Sequence, residues 1–273
     1  MPFDLNSYLD RLGLSDREPG LAAVHRAHAT TIVFDNFDPS TGRPVVLDTD
    51  RLADKMIGRG RGGYCFEHNM LFKAVLEELE IGPVELMLAR VRIGGTGEDR
   101  PLDHLLLRVT EDSRPWLADV GFGGGGLLDP LPFEVGVETN QSGWLYRLVE
   151  DGSELVLQVF QDGGWTDMYG FIPEPVPFID VEVSNWYTAT HPMSSMVSGL
   201  MVGRRSPDRC LSLFAYEEAV LVERPAGGAS EVIEVARTDV PGLLAERFGI
   251  EGVTLSTEGR FGLAVSSRDQ PEP

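Results

Sequence analysis

The chain has 273 residues, 42% hydrophobic and 24% charged, so it can bury a core and is too apolar to be mainly disordered. A formal net charge of −20 argues against nonspecific nucleic-acid binding, which needs Lys and Arg to neutralise phosphates. The sequence has no apolar run of about 18 residues, no secretory signal in its first residues and only two cysteines, so we expect no membrane span, no disulfide framework and a cytoplasmic location.

The first 83 residues are predicted to form a helical bundle. Apolar residues recur at helical spacing from Leu5 to Leu12, and a second helix is predicted at 20–30. The stretch 34–46 is typical of a loop, and Thr49 or Asp50 could cap a short helix. A glycine-rich loop at 58–63 then precedes an amphipathic helix at 65–79.

Short strands follow from residue 84, with turn residues between them. They are predicted at 84–93, 104–109, 116–120, 145–149 and 155–160, which is typical of an antiparallel sheet or small barrel. Three prolines then make a stiff connection: Pro173, Pro175 and Pro177. Beyond it we predict a helix at 181–191, strands at 197–204, 210–217 and 219–224, a helix at 240–248 and a loose tail at 266–273.

This order predicts an α+β fold in three parts, because helices come first, strands second and a mixed segment last. We place the helical bundle at 1–83, an antiparallel β-barrel at 84–178 and an α/β lid at 179–273.

Cys65 is the candidate nucleophile. It follows a loop with four glycines and opens a helix, where the helix dipole and unpaired N–H groups favour a thiolate and can stabilise an oxyanion. The alternative is a small buried hydrophobic residue. We prefer that alternative for Cys210, which lies inside an apolar strand.

His104 and Asp119 are the candidate base and orienting group. A hairpin that turns near Asp112 and Ser113 pairs residues whose numbers sum to 223–225, which brings His104 within reach of Asp119. A buried His–Asp pair that only holds the hairpin is the alternative. With Cys65 these residues give the Cys–His–Asp set that nucleophilic catalysis requires.

Two further patterns are weaker. His25 and His28 are three apart on a predicted helix, but no carboxylate or cysteine cluster accompanies them, so we expect no metal site. The run Gly123, Gly124, Gly125 and Gly126 could form a phosphate-binding nest or a flexible turn.

His68, three residues after Cys65, is interpreted as a packing or capping residue.

The motifs resemble those of the bacterial arylamine N-acetyltransferase family. Residues 61–69, Arg-Gly-Gly-Tyr-Cys-Phe-Glu-His-Asn, are similar to its nucleophile motif. His104 before a leucine run, Asp-Val-Gly-Phe-Gly at 119–123, and Asn-Trp-Tyr-Thr-Ala-Thr-His-Pro at 185–192 match further segments in the same order. The similarity extends over nearly the whole chain.

This resemblance implies a helical bundle, a β-barrel and an α/β lid, with Cys65, His104 and Asp119 as the triad. Acetyl-coenzyme A, a substrate rather than a permanently bound cofactor, would acetylate Cys65, and an arylamine or arylhydrazine would take the acetyl group in a ping-pong scheme. The resemblance also implies acceptor contacts at Phe122, Phe66 and Met196, coenzyme A contacts at Gly123–Gly126, and an ion pair between Arg61 and Asp35.

Four positions depart from the family pattern. Asp35 replaces the usual glutamate, Met196 stands where a phenylalanine is common, and Glu67-His68 is an unusual pair beside the nucleophile. They leave the triad whole and bear on the choice of acyl group and acceptor.

Three other functions remain open at this point. The first is an amide synthase that releases or cyclises a polyketide chain from a carrier protein, because such enzymes resemble this family closely. A cysteine hydrolase of the papain or transglutaminase kind shares the Cys–His–Asp chemistry. A non-catalytic binding protein is the least favoured, because all three triad positions are filled.

Overall fold

The computed structural model of the protein describes residues 2–16, 18–95, 97 and 100–263. The tail predicted to be loose, 266–273, lies outside these residues. Among the described residues, no helix has the length and apolar character needed to cross a membrane.

The N-terminal part is helical, as predicted. The first helix is capped by the Asp4 side chain, which accepts the N–H of Ser7 at 2.8 Å. The fourth is capped by Asp48, one residue before the predicted caps, and continues as a π-helical turn at Asp54–Gly58. The helices are α1 (Leu5–Arg11), α2 (Leu21–Thr31), α3 (Phe37–Ser40), α4 (Thr49–Ala53) and α5 (Cys65–Glu78).

An antiparallel sheet forms the centre and curls into a nearly closed barrel, with strand order β5-β4-β3-β2-β9-β8-β7-β6. The Gln141 side chain bridges β6 to the segment that leads into β5, because it accepts the N–H of Leu128 and donates to the carbonyl of Asp129. The strands are β2 (Val84–Val91), β3 (His104–Glu111), β4 (Arg114–Ala118), β5 (Leu131–Pro132), β6 (Thr139–Gln141), β7 (Trp144–Asp151), β8 (Glu154–Gln161) and β9 (Gly164–Phe171).

The β3–β4 hairpin has the predicted register. Glu111 pairs with Arg114 and Leu107 with Ala118, so paired residues sum to 225. Asp112 and Ser113 at the turn have φ of 51° and 63°, the left-handed conformations of a tight hairpin. The ladder ends at Ala118, and Asp119 therefore leaves the sheet beside the start of β3.

The third part is built on a second antiparallel sheet, with order β1-β10-β11-β12-β13. Its elements are α6 (Phe178–Thr190), α7 (Ser195–Ser198), β10 (Leu200–Arg205), β11 (Arg209–Ala215), β12 (Ala219–Pro225), β13 (Glu231–Val235), α8 (Val240–Leu243) and the β14 (Val253–Leu255) and β15 (Phe261–Leu263) hairpin. The strand predicted at 197–204 begins late because α7 occupies its first residues.

One strand of this sheet comes from the N-terminal part. The stretch 34–46 was predicted to be a loop, and this is wrong at its start: β1 (Phe34–Asp35) pairs with Val202 and Gly203 of β10. The helix α3 follows directly. Tertiary pairing overrides the local turn-rich composition here, since two residues carry too little periodicity to indicate a strand.

Three apolar clusters fill the interior. The first joins α1, α2 and α5 to one face of β2 and β3, the second fills the barrel, and the third lies between β10–β12 and α8. Helices at one end and antiparallel sheets elsewhere confirm the α+β class. The division at 83/84 and 178/179 stays a prediction.

Candidate active site

Cys65 lies at the first residue of α5 and is 5% exposed. Its Sγ is 3.6 Å from the carbonyl oxygen of Asp103, the residue before His104. The loop that leads to it is packed against β1: the Asp35 N–H donates to the carbonyl of Gly63 at 2.8 Å, and a Cβ on Gly62 would collide with the Val33 carbonyl. The tight backbone contact fixes where the helix, and with it the thiol, begins.

His104 and Asp119 are in direct contact, as the hairpin predicted. The Nε2 of His104 lies 2.7 Å from the Oδ2 of Asp119, and both side chains are buried. The Cys65 side chain interacts with His104 as well and raises the pKa of its ring. The three predicted triad residues are therefore joined in one line: Cys65, His104 and Asp119.

The electrostatics of this line favour an ion pair. Burial alone would lower the pKa of His104, but the charge and hydrogen bond of Asp119, with a smaller contribution from Cys65, raise it to about 10. Burial would raise the pKa of Asp119, yet the charge and hydrogen bond of His104 lower it. His104 is therefore protonated and Asp119 ionised at neutral pH.

Asn69 connects α5, which begins at Cys65, to Asp119. Its Nδ2 donates to the Oδ1 of Asp119 at 2.9 Å and to the carbonyl of Leu105 at 2.7 Å, and its Oδ1 accepts the N–H of Val120 at 3.1 Å. A Cβ on Gly121 would lie 2.8 Å from the Cα of Cys65. One turn of α5 therefore positions both Cys65 and the segment that contains Asp119, a role for Asn69 that its place in the motif alone did not reveal.

Aromatic rings enclose His104. Phe122 meets it edge-on with ring centroids 5.2 Å apart, and Tyr169 of β9 lies 4.8 Å away. Tyr169 is fully buried; its burial and the charge of Asp119 raise its pKa well above the usual range. Phe122 is half-buried. It remains a predicted acceptor contact, while sequence reasoning missed Tyr169 because β9 lacks an apolar alternation.

The other two predicted acceptor contacts differ in their burial. Phe66 is fully buried, with its ring 5.5 Å from that of Tyr64, and its acceptor contact stays a prediction. Met196, in α7, is half-buried at the edge of the apolar cluster that contains Cys65. Its part in the acyl pocket stays a prediction.

The glycine run packs against the lid. A Cβ on Gly124 would lie 2.7 Å from the carbonyl oxygen of Leu211, whereas one on Gly125 would meet nothing within 4 Å. Two side chains also hold the backbone of the run. The Tyr146 hydroxyl of β7 donates to the Gly126 carbonyl at 2.9 Å, and Arg205 of β10 donates to the Gly124 carbonyl. Close packing thus explains some of these glycines, and the coenzyme A contact of Gly123–Gly126 stays a prediction.

The expected ion pair of Arg61 has a different partner. Arg61 Nη2 lies 2.9 Å from Asp38, not beside Asp35, and Lys55 Nζ contacts both Asp38 at 2.5 Å and Glu67 at 2.7 Å. Asp35 acts on Arg61 through its charge alone. The pairing with Asp35 is therefore wrong, because Asp38 in the first turn of α3 contacts both cations instead.

His25 and His28, three residues apart on α2, have different partners. His25 contacts Leu128 and Asp119, while His28 bonds to Tyr8 and His68. Among the residues that the structure describes, no group of three or more His, Cys, Asp or Glu could hold a metal ion.

Known proteins match this architecture and sequence. Residues 19–255 match the N-acetyltransferase family model. An arylamine N-acetyltransferase of Mycolicibacterium smegmatis is 39% identical over 92% of this chain and 93% of its own length. The solved structure of Mycobacterium marinum arylamine N-acetyltransferase in complex with CoA has a TM-score of 0.83 and 36% identity, and the match covers 90% of this chain and 93% of that one.

A more distant relative is a proansamycin X synthase of Amycolatopsis mediterranei, 31% identical over 65% of this chain and 71% of its own. The family match and the extent of the mycobacterial similarity confirm the resemblance found in the motifs. The chain belongs to the arylamine N-acetyltransferase family.

Proposed function

We propose that the chain transfers an acetyl group from acetyl-coenzyme A to a primary arylamine or arylhydrazine through a thioester on Cys65. The observation that carries the proposal is the contact line from Cys65 through His104 to Asp119 at the start of α5. The donor follows from the relative whose structure contains CoA, and the acceptor class from the relatives' names.

In the first half-reaction, Cys65 enters as a thiolate beside the His104 imidazolium, whose second proton lies on the ring nitrogen that Asp119 does not occupy. The sulfur bonds to the thioester carbonyl carbon of the donor, and the first-turn N–H groups of α5 stabilise the oxyanion. The bond from that carbon to the coenzyme A sulfur then breaks, and the leaving thiolate takes the proton from His104. Coenzyme A departs as the free thiol.

In the second half-reaction, the acceptor nitrogen bonds to the carbonyl carbon of acetyl-Cys65. Its proton passes to His104, the carbon–sulfur bond breaks, and Cys65 leaves as a thiolate beside the imidazolium. Asp119 keeps the imidazole ring in place and stabilises its positive charge throughout. The product is the N-acetyl amide or hydrazide.

The test separates acylation from transfer. Wild-type protein incubated with acetyl-coenzyme A alone should gain the mass of one acetyl group, mapped by peptide analysis to Cys65. The Cys210→Ala variant is the matched control, since Cys210 is also a buried free thiol and should leave the mass gain intact. Labelling that persists in Cys65→Ala, or wild-type acylation in His104→Ala, would remove the assigned residue from the mechanism.

The second stage adds an arylamine, an arylhydrazine or water only to the acetylated protein. Fast loss of the acetyl group with amide formation supports the proposal, whereas release of free acetate at the same rate without acceptor identifies a hydrolase. The similarity to a proansamycin X synthase favours amide formation on a carrier-bound polyketide chain as the second candidate. Rapid transfer to simple arylamines counts against it.

A cytosolic location is part of this proposal, because Cys65 must stay reduced to act as a nucleophile. Both cysteines are free thiols in the structure.

A further inference from the structure

His25 of α2 connects two points on the loop that carries the site. It is fully buried, its Nε2 lies 3.1 Å from the backbone nitrogen of Asp119, and its Nδ1 lies 3.0 Å from the carbonyl oxygen of Leu128. Between these two residues run Phe122 and the glycines 123–126. One imidazole therefore holds both ends of the loop that follows β4.

The two backbone partners fix the tautomer of His25. A backbone N–H can only donate, so Nε2 must be the unprotonated acceptor, and a carbonyl can only accept, so Nδ1 must carry the proton. The ring is neutral in this arrangement. A proton on Nε2 would set donor against donor and break the bond to Asp119.

The surroundings support a neutral ring. Burial lowers the pKa of His25 to about 4, and the bond to Leu128 and the charges of Asp119 and Asp129 only partly oppose this, with Arg26 acting in the same sense as burial. The ring also packs edge-on against Phe72 of α5 with centroids 5.6 Å apart. His25 is therefore held by packing as well as by its two hydrogen bonds.

The Asp119 segment has a second support from the opposite side. Asn69 of α5 binds the Asp119 carboxylate and the N–H of Val120, while His25 of α2 binds the Asp119 N–H. Losing either support leaves a buried backbone group unpaired and frees the segment to shift. A shift of the carboxylate acts directly on the 2.7 Å bond to His104.

We propose that His25 is a positioning residue of the triad, whose neutral imidazole holds the two ends of loop 119–128 and thereby aims Asp119 at His104. This role of His25 rests on the proposed acetyl transfer only for the expected effect of the residue on turnover. Its effect on the reactivity of Cys65 does not depend on acetyl-coenzyme A.

Two substitutions separate the two hydrogen bonds that the His25 ring makes. The carbonyl oxygen of His25→Gln reaches about as far as Nε2 and can still accept the Asp119 N–H, whereas the shorter amide of His25→Asn ends near Nδ1 and can only replace the bond to Leu128. Both variants are neutral and both lose the ring packing. They therefore form a matched pair.

We expect kcat/KM per folded molecule to fall roughly 10- to 100-fold in His25→Asn and to stay within a few-fold of wild type in His25→Gln. The rate of Cys65 alkylation by iodoacetamide against pH, measured without acetyl-coenzyme A, should shift in the asparagine variant only. Equal losses in both variants with an unchanged alkylation profile would show a purely structural role and overturn the proposal.

The intact wild-type protein gives a test that needs no variant. In protein labelled with ¹⁵N-histidine, His25 should show a protonated Nδ1 and an unprotonated Nε2, with a scalar coupling from Nε2 to the Asp119 amide. A proton on Nε2 would refute the proposal even if both variants fail to fold. Absence of acetyl transfer with the expected tautomer and alkylation shift would refute the proposed function alone.

Discussion

Gly203 of β10 and Gly124 of the glycine run pack backbone against backbone, so that a Cβ on Gly203 would lie 2.5 Å from the nitrogen of Gly124. This contact joins the sheet that contains β10 to the loop that starts at Asp119. The neighbouring Gly125 has open space where its side chain would be. The seam therefore depends on particular glycines rather than on a flexible run.

Gly203→Ala and Gly124→Ala should each lower the free energy of unfolding by about 1–3 kcal/mol, because backbone atoms at this seam cannot move aside cheaply. Gly125→Ala is the matched control and should leave the denaturation midpoint unchanged. Urea unfolding measures the difference. If Gly125→Ala nevertheless raises the KM for acetyl-coenzyme A, the donor contacts that glycine; equal stability in all three variants would contradict close packing at the seam.

Buried neutral histidines should make the fold sensitive to mild acid. Burial lowers the pKa of His25 and His68 to about 4 and that of His28 well below its usual range. In the unfolded chain each would bind a proton near pH 6.5, so protons favour the unfolded state as the pH falls from about 6.5 towards 4. Across this full pH window, His25 and His68 should each lower the free energy of unfolding by about 3 kcal/mol.

Other groups do not mask this trend in its upper half. The raised pKa of His104 gives stability that is fully present below pH 6.5 and is lost only as pH rises towards 10. Asp35 and Glu67, whose pKa burial raises, oppose the trend, because the folded protein holds their protons more tightly than the unfolded chain does. Urea titrations between pH 7 and 5 should therefore show a falling midpoint, and a constant midpoint would contradict neutral, buried rings.

The sequence sufficed where the pattern was local. The apolar stripe of α5 placed Cys65 at a helix start, and the turn at Asp112 and Ser113 set the register that brings His104 to Asp119. In both cases the distance along the chain is short, and one periodicity or one turn decides the geometry.

Long-range contacts were beyond such reasoning. His25 reaches Asp119 over 94 residues, and β1 joins β10 from the other end of the chain. Asp38 replaces Asp35 as the partner of Arg61 through the path of α3, which no motif records. Each of these depends on how separate elements pack, so the residues reveal it only once the fold is known.

Lys55 should be worth far more than an exposed lysine in a similar ion pair. It is buried between Asp38 and Glu67, and Glu67 also accepts the N–H of Tyr64 beside the nucleophile. Lys55→Met leaves the buried Glu67 without its cation and removes one of the cations that Asp38 contacts, and we expect a loss of about 3–5 kcal/mol in the free energy of unfolding. Lys73→Met is the control.

Lys73 pairs with Glu77 at 2.5 Å on the exposed side of α5, where an ion pair contributes about 0.5 kcal/mol. The loss in the free energy of unfolding, measured with urea, should therefore be several-fold larger for Lys55→Met than for Lys73→Met. Similar small losses would show that the buried cluster is solvated or that its carboxylates take up protons without cost.

Arg205 should control donor binding through the glycine run. It is 4% exposed, donates to the Gly124 carbonyl at 3.3 Å and to the Tyr146 hydroxyl at 2.8 Å, and lies 3.9 Å above the centre of the Trp144 ring. A lysine cannot make both bonds and keep the stacking, because it lacks the planar fork of guanidinium. Arg205→Lys should therefore loosen the loop and raise the KM for acetyl-coenzyme A.

Tyr146→Phe tests the contribution of the Tyr146 hydroxyl separately from that of the Arg205 guanidinium. It keeps the ring in the barrel core but removes the oxygen that lies 2.9 Å from the Gly126 carbonyl, so it should raise the same KM by less. We expect roughly 10-fold for Arg205→Lys, since a hydrogen bond to a charged group is worth about 1.5–3 kcal/mol. Acylation of Cys65 at saturating donor should change little in either variant. A lower rate of Cys65 acylation at saturating donor, with an unchanged KM, would mean that the substitution acts on the triad. That result would contradict a role for Arg205 and Tyr146 in holding the glycine run for the donor.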